Sequence, residues 1–91
     1  METIDEIRVI AKKWQWMEID HQENIGMISF TRNGDRINVY YSKPWRMTVA
    51  TVINHQKMGR QQLFRKYIKM FELDKIFRYP RIHTSKGYYT K

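Results

Sequence analysis

Asn33-Gly34, set between two β-rich runs, constrains the fold of this 91-residue chain more than any other feature. A type I′ hairpin turn needs positive φ at both central positions, and Asn and Gly are the residues that tolerate it. With these two as the loop, Arg32 faces Asp35, Phe30 faces Ile37 and Ile28 faces Val39, and Tyr41 continues the series. Those pairings put the apolar residues on one face, so turn chemistry and alternation agree on a single register. A hairpin with one apolar face must be covered, which calls for further strands and for helices packed on that face.

The rest of the chain supplies them. Thr3-x-x-Glu6 has the spacing of a capping box, and Ile4, Ile7, Ala11 and Trp14 recur at helical steps, so a first helix is expected up to about Lys13. The stretch from Trp14 to Asp20 has extended character without clear alternation. Ser42 to Arg46 contains Pro44 and reads as a connection. Met47 to Ile53 is a β-branched third strand with Val49, Thr51 and Ile53 on one face. Gln61 to Tyr67 reads as a fourth strand. Leu73, Ile76 and Phe77 then have helical spacing in a short second helix stopped by Pro80.

The expected fold is a single small α+β domain of order α-β-β-β(-β)-α, an antiparallel meander with both helices on one face. It spans residues 1–80, and residues 81–91 form a basic, tyrosine-containing C-terminal tail. The α-β-β-β-α order is similar to that of the double-stranded-RNA-binding domain and of small ribonuclease toxins built on that scaffold. Those domains carry a lysine cluster at the start of the last helix. Here Lys66 and Lys69 precede the helix, and Glu72 and Asp74 sit within its first turns.

The chain has no cysteine, which excludes disulfides and thiolate chemistry of its own. Three acids precede the first base, unlike a signal or transit peptide. No apolar run reaches the length of a membrane span. A soluble intracellular domain is therefore expected. A core this small is marginal, so pairing with a second copy (a homo-oligomer) is one route to full stability.

Charge is distributed unevenly. Residues 1–55 hold seven Lys/Arg against seven Asp/Glu, whereas residues 56–91 hold ten against two and carry the entire net charge of +8. Aromatic rings are interleaved with these cations. Cations neutralise phosphate and rings stack on bases, so the pattern points to a nucleic-acid partner. RNA or single strands are favoured over duplex DNA because aromatics accompany the charge. The expected phosphate contacts are Lys57, Arg60, Arg65, Lys66, Lys69, Arg78, Arg81 and Lys86. Tyr88 and Tyr89 in the tail would add stacking, and Tyr40 and Trp45 are further stacking candidates. Tyr40, with Ser29, Arg36 and Asn38, would lie on the sheet face opposite the helices, exposed to solvent.

Two other readings compete. A protein-interaction subunit would dock its basic surface on an acidic partner, with Trp45 as anchor. A metal-independent ribonuclease would use His55 or His83 as a proton carrier beside phosphate-holding cations. His21, His55 and His83 lack metal-ligand neighbours at suitable spacing, so neither a metal nor another cofactor is expected. No P-loop or dinucleotide-binding glycine pattern occurs. The chain is expected to bind and not to catalyse.

Overall fold

The computed structural model describes the backbone of residues 2–55 and 59–80 and the side chains of residues 2–53 and 67–80. Helix α1 (Thr3–Lys13) leads into strand β1 (Met17–Gln22) and a 3-10 turn (Glu23–Ile25). Strands β2 (Met27–Arg32), β3 (Asp35–Tyr40), β4 (Met47–His55) and β5 (Gly59–Ile68) follow, then helix α2 (Met70–Arg78). All five strands form one antiparallel sheet in the order β1-β2-β3-β4-β5. The sheet thus has two strands more than the three-stranded order it resembles. Both helices pack on one face. Ile7 and Ala11 of α1 and Leu73, Ile76 and Phe77 of α2 share a core with Ile28, Phe30, Ile37, Val39, Met47, Val49 and Ile68.

The hairpin forms in the expected register, with Arg32 opposite Asp35, Phe30 opposite Ile37 and Ile28 opposite Val39. Asn33 and Gly34 both have positive φ, 51° and 82°, as a type I′ turn requires. At the other end of β2, Gly26 is left-handed with φ 66°, and a Cβ there would run into the Ser42 hydroxyl. Its carbonyl accepts from Tyr41 N at 2.8 Å, which fixes where β3 gives way to the next connection.

Helix α1 differs from expectation at its start. Glu2 is the N-cap, in an extended conformation, and no side chain caps the helix, so Thr3 is the first helical residue and the capping box does not form. The first turn is favoured instead by Asp5 and Glu6 at the positive end of the helix dipole. Its C-terminus is a Schellman motif: Trp16 N donates to Ala11 O at 2.8 Å and Gln15 N to Lys12 O at 3.0 Å. Gln15 takes the left-handed position that usually belongs to glycine, with φ 65°. The motif reverses the chain so that Trp16 enters the core and Met17 starts β1. Helix α2 begins at Met70, three residues before Leu73, and ends before Pro80.

The second sheet face carries no helix among the described residues. Met27, Ser29 and Thr31 of β2 lie beside Tyr40, Asn38 and Arg36 of β3, which pair in turn with Thr48, Ala50 and Val52 of β4. The expectation that Ser29 is exposed here is corrected: it is fully buried. Its hydroxyl donates to Asn38 Oδ1 at 2.6 Å, and Arg36 donates to Asn38 Oδ1 at 2.9 Å and to Ser29 Oγ at 3.2 Å. A short side chain between longer neighbours is covered by them, and its polar atom is satisfied within the network. Arg36 and Asn38 are half-buried for the same reason, and Tyr40 is the exposed member.

Candidate nucleic-acid interface

The expected phosphate contacts divide into those the structure describes and those it does not. Lys69 is the exposed N-cap of α2. Arg78 lies exposed in the last turn of the same helix, with its guanidinium over the Trp14 ring at 5.6 Å. The rise of an α-helix separates these two by about 13 Å, so α2 does not bring them into one patch. Arg60, Arg65 and Lys66 have their backbone in β5, with Arg60 opposite Asn54 and Arg65 opposite Val49, and their side chains lie outside the described residues. So do the His55 side chain, at the end of β4, and all of Lys57, Arg81, His83, Lys86, Tyr88 and Tyr89. The described stacking candidates are both exposed, Tyr40 by 39% and Trp45 by 67%.

A second group of residues, read from the structure alone, gathers near Tyr40. Lys43, Pro44, Trp45 and Arg46 form a β-turn closed by Arg46 N donating to Lys43 O at 3.0 Å. Proline pre-sets φ for the second position of such a turn. The turn brings Lys43 and Arg46 to its two ends and leaves Trp45 at the corner. Met47 then enters the core, so Thr48, next in β4, belongs to the helix-free face opposite Tyr40.

Strand β5 contributes through a bulge. Met47 pairs with Ile68 and Val49 with Arg65, so the single residue Thr48 lies opposite both Lys66 and Tyr67. Tyr67 takes up the extra length in a left-handed conformation, φ 63°, which costs a residue with a Cβ about 1 kcal/mol or more. The distortion places its exposed ring under Arg46, whose guanidinium carbon is 4.7 Å from the ring centroid. Lys43, Arg46, Thr48 and Tyr67 line an open cavity of about 280 Å3. Its described lining thus has two cations, a hydroxyl and a ring, and no carboxylate. This composition suits an anion with an apolar part.

The other polar clusters fasten α1 to the sheet at one end and to α2 at the other. Arg8 of α1 grips Glu18 of β1 with two hydrogen bonds, at 2.8 and 3.2 Å. The hydrogen bond from Arg8 holds the Glu18 carboxyl below its ordinary pKa, against the opposing effect of burial. Arg8 also donates to His21 Nδ1 at 3.4 Å. An arginine only donates, so Nδ1 accepts and Nε2 carries the proton toward the Tyr41 hydroxyl, 2.6 Å away. Burial, and then the charge of Glu23, raise the Tyr41 pKa. At the opposite end, Asp74 of α2 accepts from Trp14 Nε1 at 2.9 Å and from Lys13 Nζ at 3.2 Å. The Trp14 hydrogen bond is the main cause of its lowered pKa, with Lys13 adding to it.

The sequence does not single out Lys43, Arg46 or Thr48, and Tyr67 enters it only as one of the rings interleaved with the C-terminal cations. The signal that marks the first two is Pro44 at the second position of a turn, which brings the residues on either side of Pro44-Trp45 together. Nothing in the sequence marks the bulge. Among the described residues no three His, Asp or Glu side chains gather to hold a metal ion, and no helix is long and apolar enough to cross a membrane. No protein-family model, curated protein or solved structure matches the chain.

Proposed function

We propose that this domain binds nucleic acid, without catalysing a reaction, through the end of the sheet where Tyr40, Lys43, Trp45, Arg46, Thr48 and Tyr67 meet. The observation that carries the reading is the cavity lined by Lys43, Arg46, Thr48 and Tyr67, with cations and a ring but no acid among its described lining residues. Phosphate is the common anion that such a set suits, because guanidinium and ammonium donors neutralise it while a hydroxyl adds a hydrogen bond. The excess of positive charge in residues 56–91 supports the same reading, since a long polyanion is drawn by the field of the whole domain and not by one pocket. Arg65 and Lys66, beside Val49 and Thr48 in the ladder, and Lys69, next to Ile68, extend the basic surface in this proposal. Arg60, opposite Asn54, and Arg78, whose carbonyl meets Arg32, belong to the other end of the sheet. Lys57, Arg81, Lys86, Tyr88 and Tyr89 join the proposal through their charge and rings alone.

Fluorescence-anisotropy titration of the full-length chain with a labelled oligonucleotide at two salt concentrations tests it. Binding that weakens by orders of magnitude between about 50 and 200 mM salt is expected. Absence of binding at the lower salt contradicts it. A discrete protein partner that survives nuclease treatment would favour docking on an acidic protein, with the exposed Trp45 as anchor.

A further inference from the structure

We infer that the unit recognised here is one nucleotide of a single strand, with its phosphate in the Lys43–Arg46–Thr48–Tyr67 cavity and its base on the ring of Tyr40. The inference rests on the nucleic-acid reading above and adds to it a register and a strand state.

Size is the first argument. A cavity of about 280 Å3 falls just below the roughly 300–1,000 Å3 of pockets that enclose drug-sized ligands and cofactors. It has room for a phosphate or a sugar–phosphate and leaves the base outside.

Register is the second. Tyr40 is directly opposite Thr48 in the β3–β4 ladder, and opposed residues on one sheet face have Cβ atoms about 5 Å apart. One sugar ring separates a nucleotide's phosphate from its base. A phosphate held beside Thr48 therefore puts its own base over the neighbouring position, where the half-open ring of Tyr40 lies.

The third argument is the preparation of Arg46. Its guanidinium lies over the Tyr67 ring, with the central carbon 4.7 Å from the ring centroid, a contact that restricts the donor fork before a ligand arrives. That ring is held there by a left-handed residue in a bulge. Backbone strain of this kind survives where the surroundings hold it, and it clusters at binding sites.

Strand state follows from the stacking partner. In a duplex both faces of a base are covered by its neighbours, so a protein ring on a sheet surface finds a free base face only in a single strand, a loop or an end. A basic cavity alone would accept the phosphates of either form.

The test is an equilibrium titration of the full-length chain, at one low salt concentration and below the melting temperature of the duplex, with a mixed-sequence, G·C-containing strand of about ten nucleotides and with the same strand annealed to its complement. Tyr40→Ala and Tyr40→Phe are titrated alongside, with melting curves to confirm that both fold. The single strand is expected to bind more tightly than the duplex by at least about fivefold, the lower end of what one stacked base contributes. Tyr40→Ala should weaken the single strand by about 5- to 150-fold with little effect on the duplex, and Tyr40→Phe, which keeps the ring, should bind as the parent does. Equal binding of strand and duplex, with Tyr40→Ala silent on both, overturns this inference and leaves the phosphate-binding reading standing. Failure of both probes to bind removes the two together.

Discussion

The indole Nε1 of Trp16 donates to the main-chain carbonyl oxygen of Phe77 at 2.7 Å, joining residues 61 positions apart. The two rings also meet edge to face at 5.6 Å, and Phe77 repeats that geometry against Phe30 at 5.3 Å. Arg32 closes the arrangement from β2, its guanidinium 4.6 Å from the Trp16 ring. It donates to Trp14 O at 2.8 Å and to Arg78 O at 3.4 Å, the end carbonyls of both helices. Carbonyls at a helix C-terminus lack intrahelical partners, and a cation there also opposes the negative end of the dipole. The two helices are thereby tied to the sheet at one end.

Trp16→Phe keeps a ring in this place and removes the donor. It is expected to lower unfolding free energy by about 1–3 kcal/mol, the cost of a buried acceptor left without its partner. Trp16→Ala should cost more, about 3–5 kcal/mol. Urea denaturation of both variants measures the difference, and a Trp16→Phe variant as stable as the parent would show that the hydrogen bond contributes nothing.

Gln15→Gly is expected to raise stability by about 0.5–1 kcal/mol. Gln15 is exposed and left-handed in the Schellman motif, so the substitution relieves backbone strain and removes no core contact. The gain is reduced by the greater freedom of glycine in the unfolded chain. A lower melting temperature would contradict this reading of the helix end.

Acidification is expected to destabilise the fold through Glu18 and Asp74. Both have folded pKa values below the ordinary 4.5 and 3.8, held there chiefly by hydrogen bonds from Arg8 and Trp14 respectively. A depressed folded pKa means that the contribution is fully present above the ordinary carboxylate range. It is lost as pH falls through the folded values. Side-chain exposures of 37% for Glu18 and 34% for Asp74 keep the effect small. Melting temperature followed from about pH 6 to about pH 2 should fall, and Asp74→Asn should flatten part of that fall. An acid limb unchanged by Asp74→Asn would assign the loss elsewhere.

Tyr67 separates stability from binding. Tyr67→Gly relieves the left-handed strain at φ 63° while losing a solvent-exposed cation–π contact, so stability should change by less than about 1 kcal/mol. Tyr67→Val loses the same ring but keeps a β-branched residue in that conformation, and should be less stable than Tyr67→Gly by about 1–2 kcal/mol. Both should weaken oligonucleotide binding, because Arg46 loses its support. Equal stability of the two variants would mean that the bulge relaxes.

The legible part of this fold is the part governed by short-range chemistry. Asn33-Gly34 dictates its own turn, and alternation from Ile28 to Val39 then sets the register without reference to anything distant. The start of β1 is less legible: the helix ends at Lys13 as expected, but the left-handed reversal at Gln15, where a glycine would have marked it, delays the strand to Met17. Ser29 reads as exposed by alternation, yet its neighbours across the ladder bury it. Charge counting overlooked Lys43 and Arg46 because residues 1–55 are neutral in sum. In the folded chain the seven acids that balance that sum lie at the start of α1, on β1, in the 3-10 turn and at the hairpin turn, and the described lining of the cavity contains none of them. Tyr67 joins the site through a one-residue bulge, a property of two paired strands that neither strand's own sequence displays.

The salt dependence of oligonucleotide binding, compared between the full-length chain and its Lys43→Ala/Arg46→Ala variant, measures the role of the cavity. Each phosphate contact on a single strand adds about 0.7 to the slope of log affinity against log salt. Loss of both cations removes the one phosphate contact of the cavity and should therefore lower the slope by about 0.7 and weaken binding at low salt. An unchanged slope and affinity would mean that the cavity contacts no phosphate.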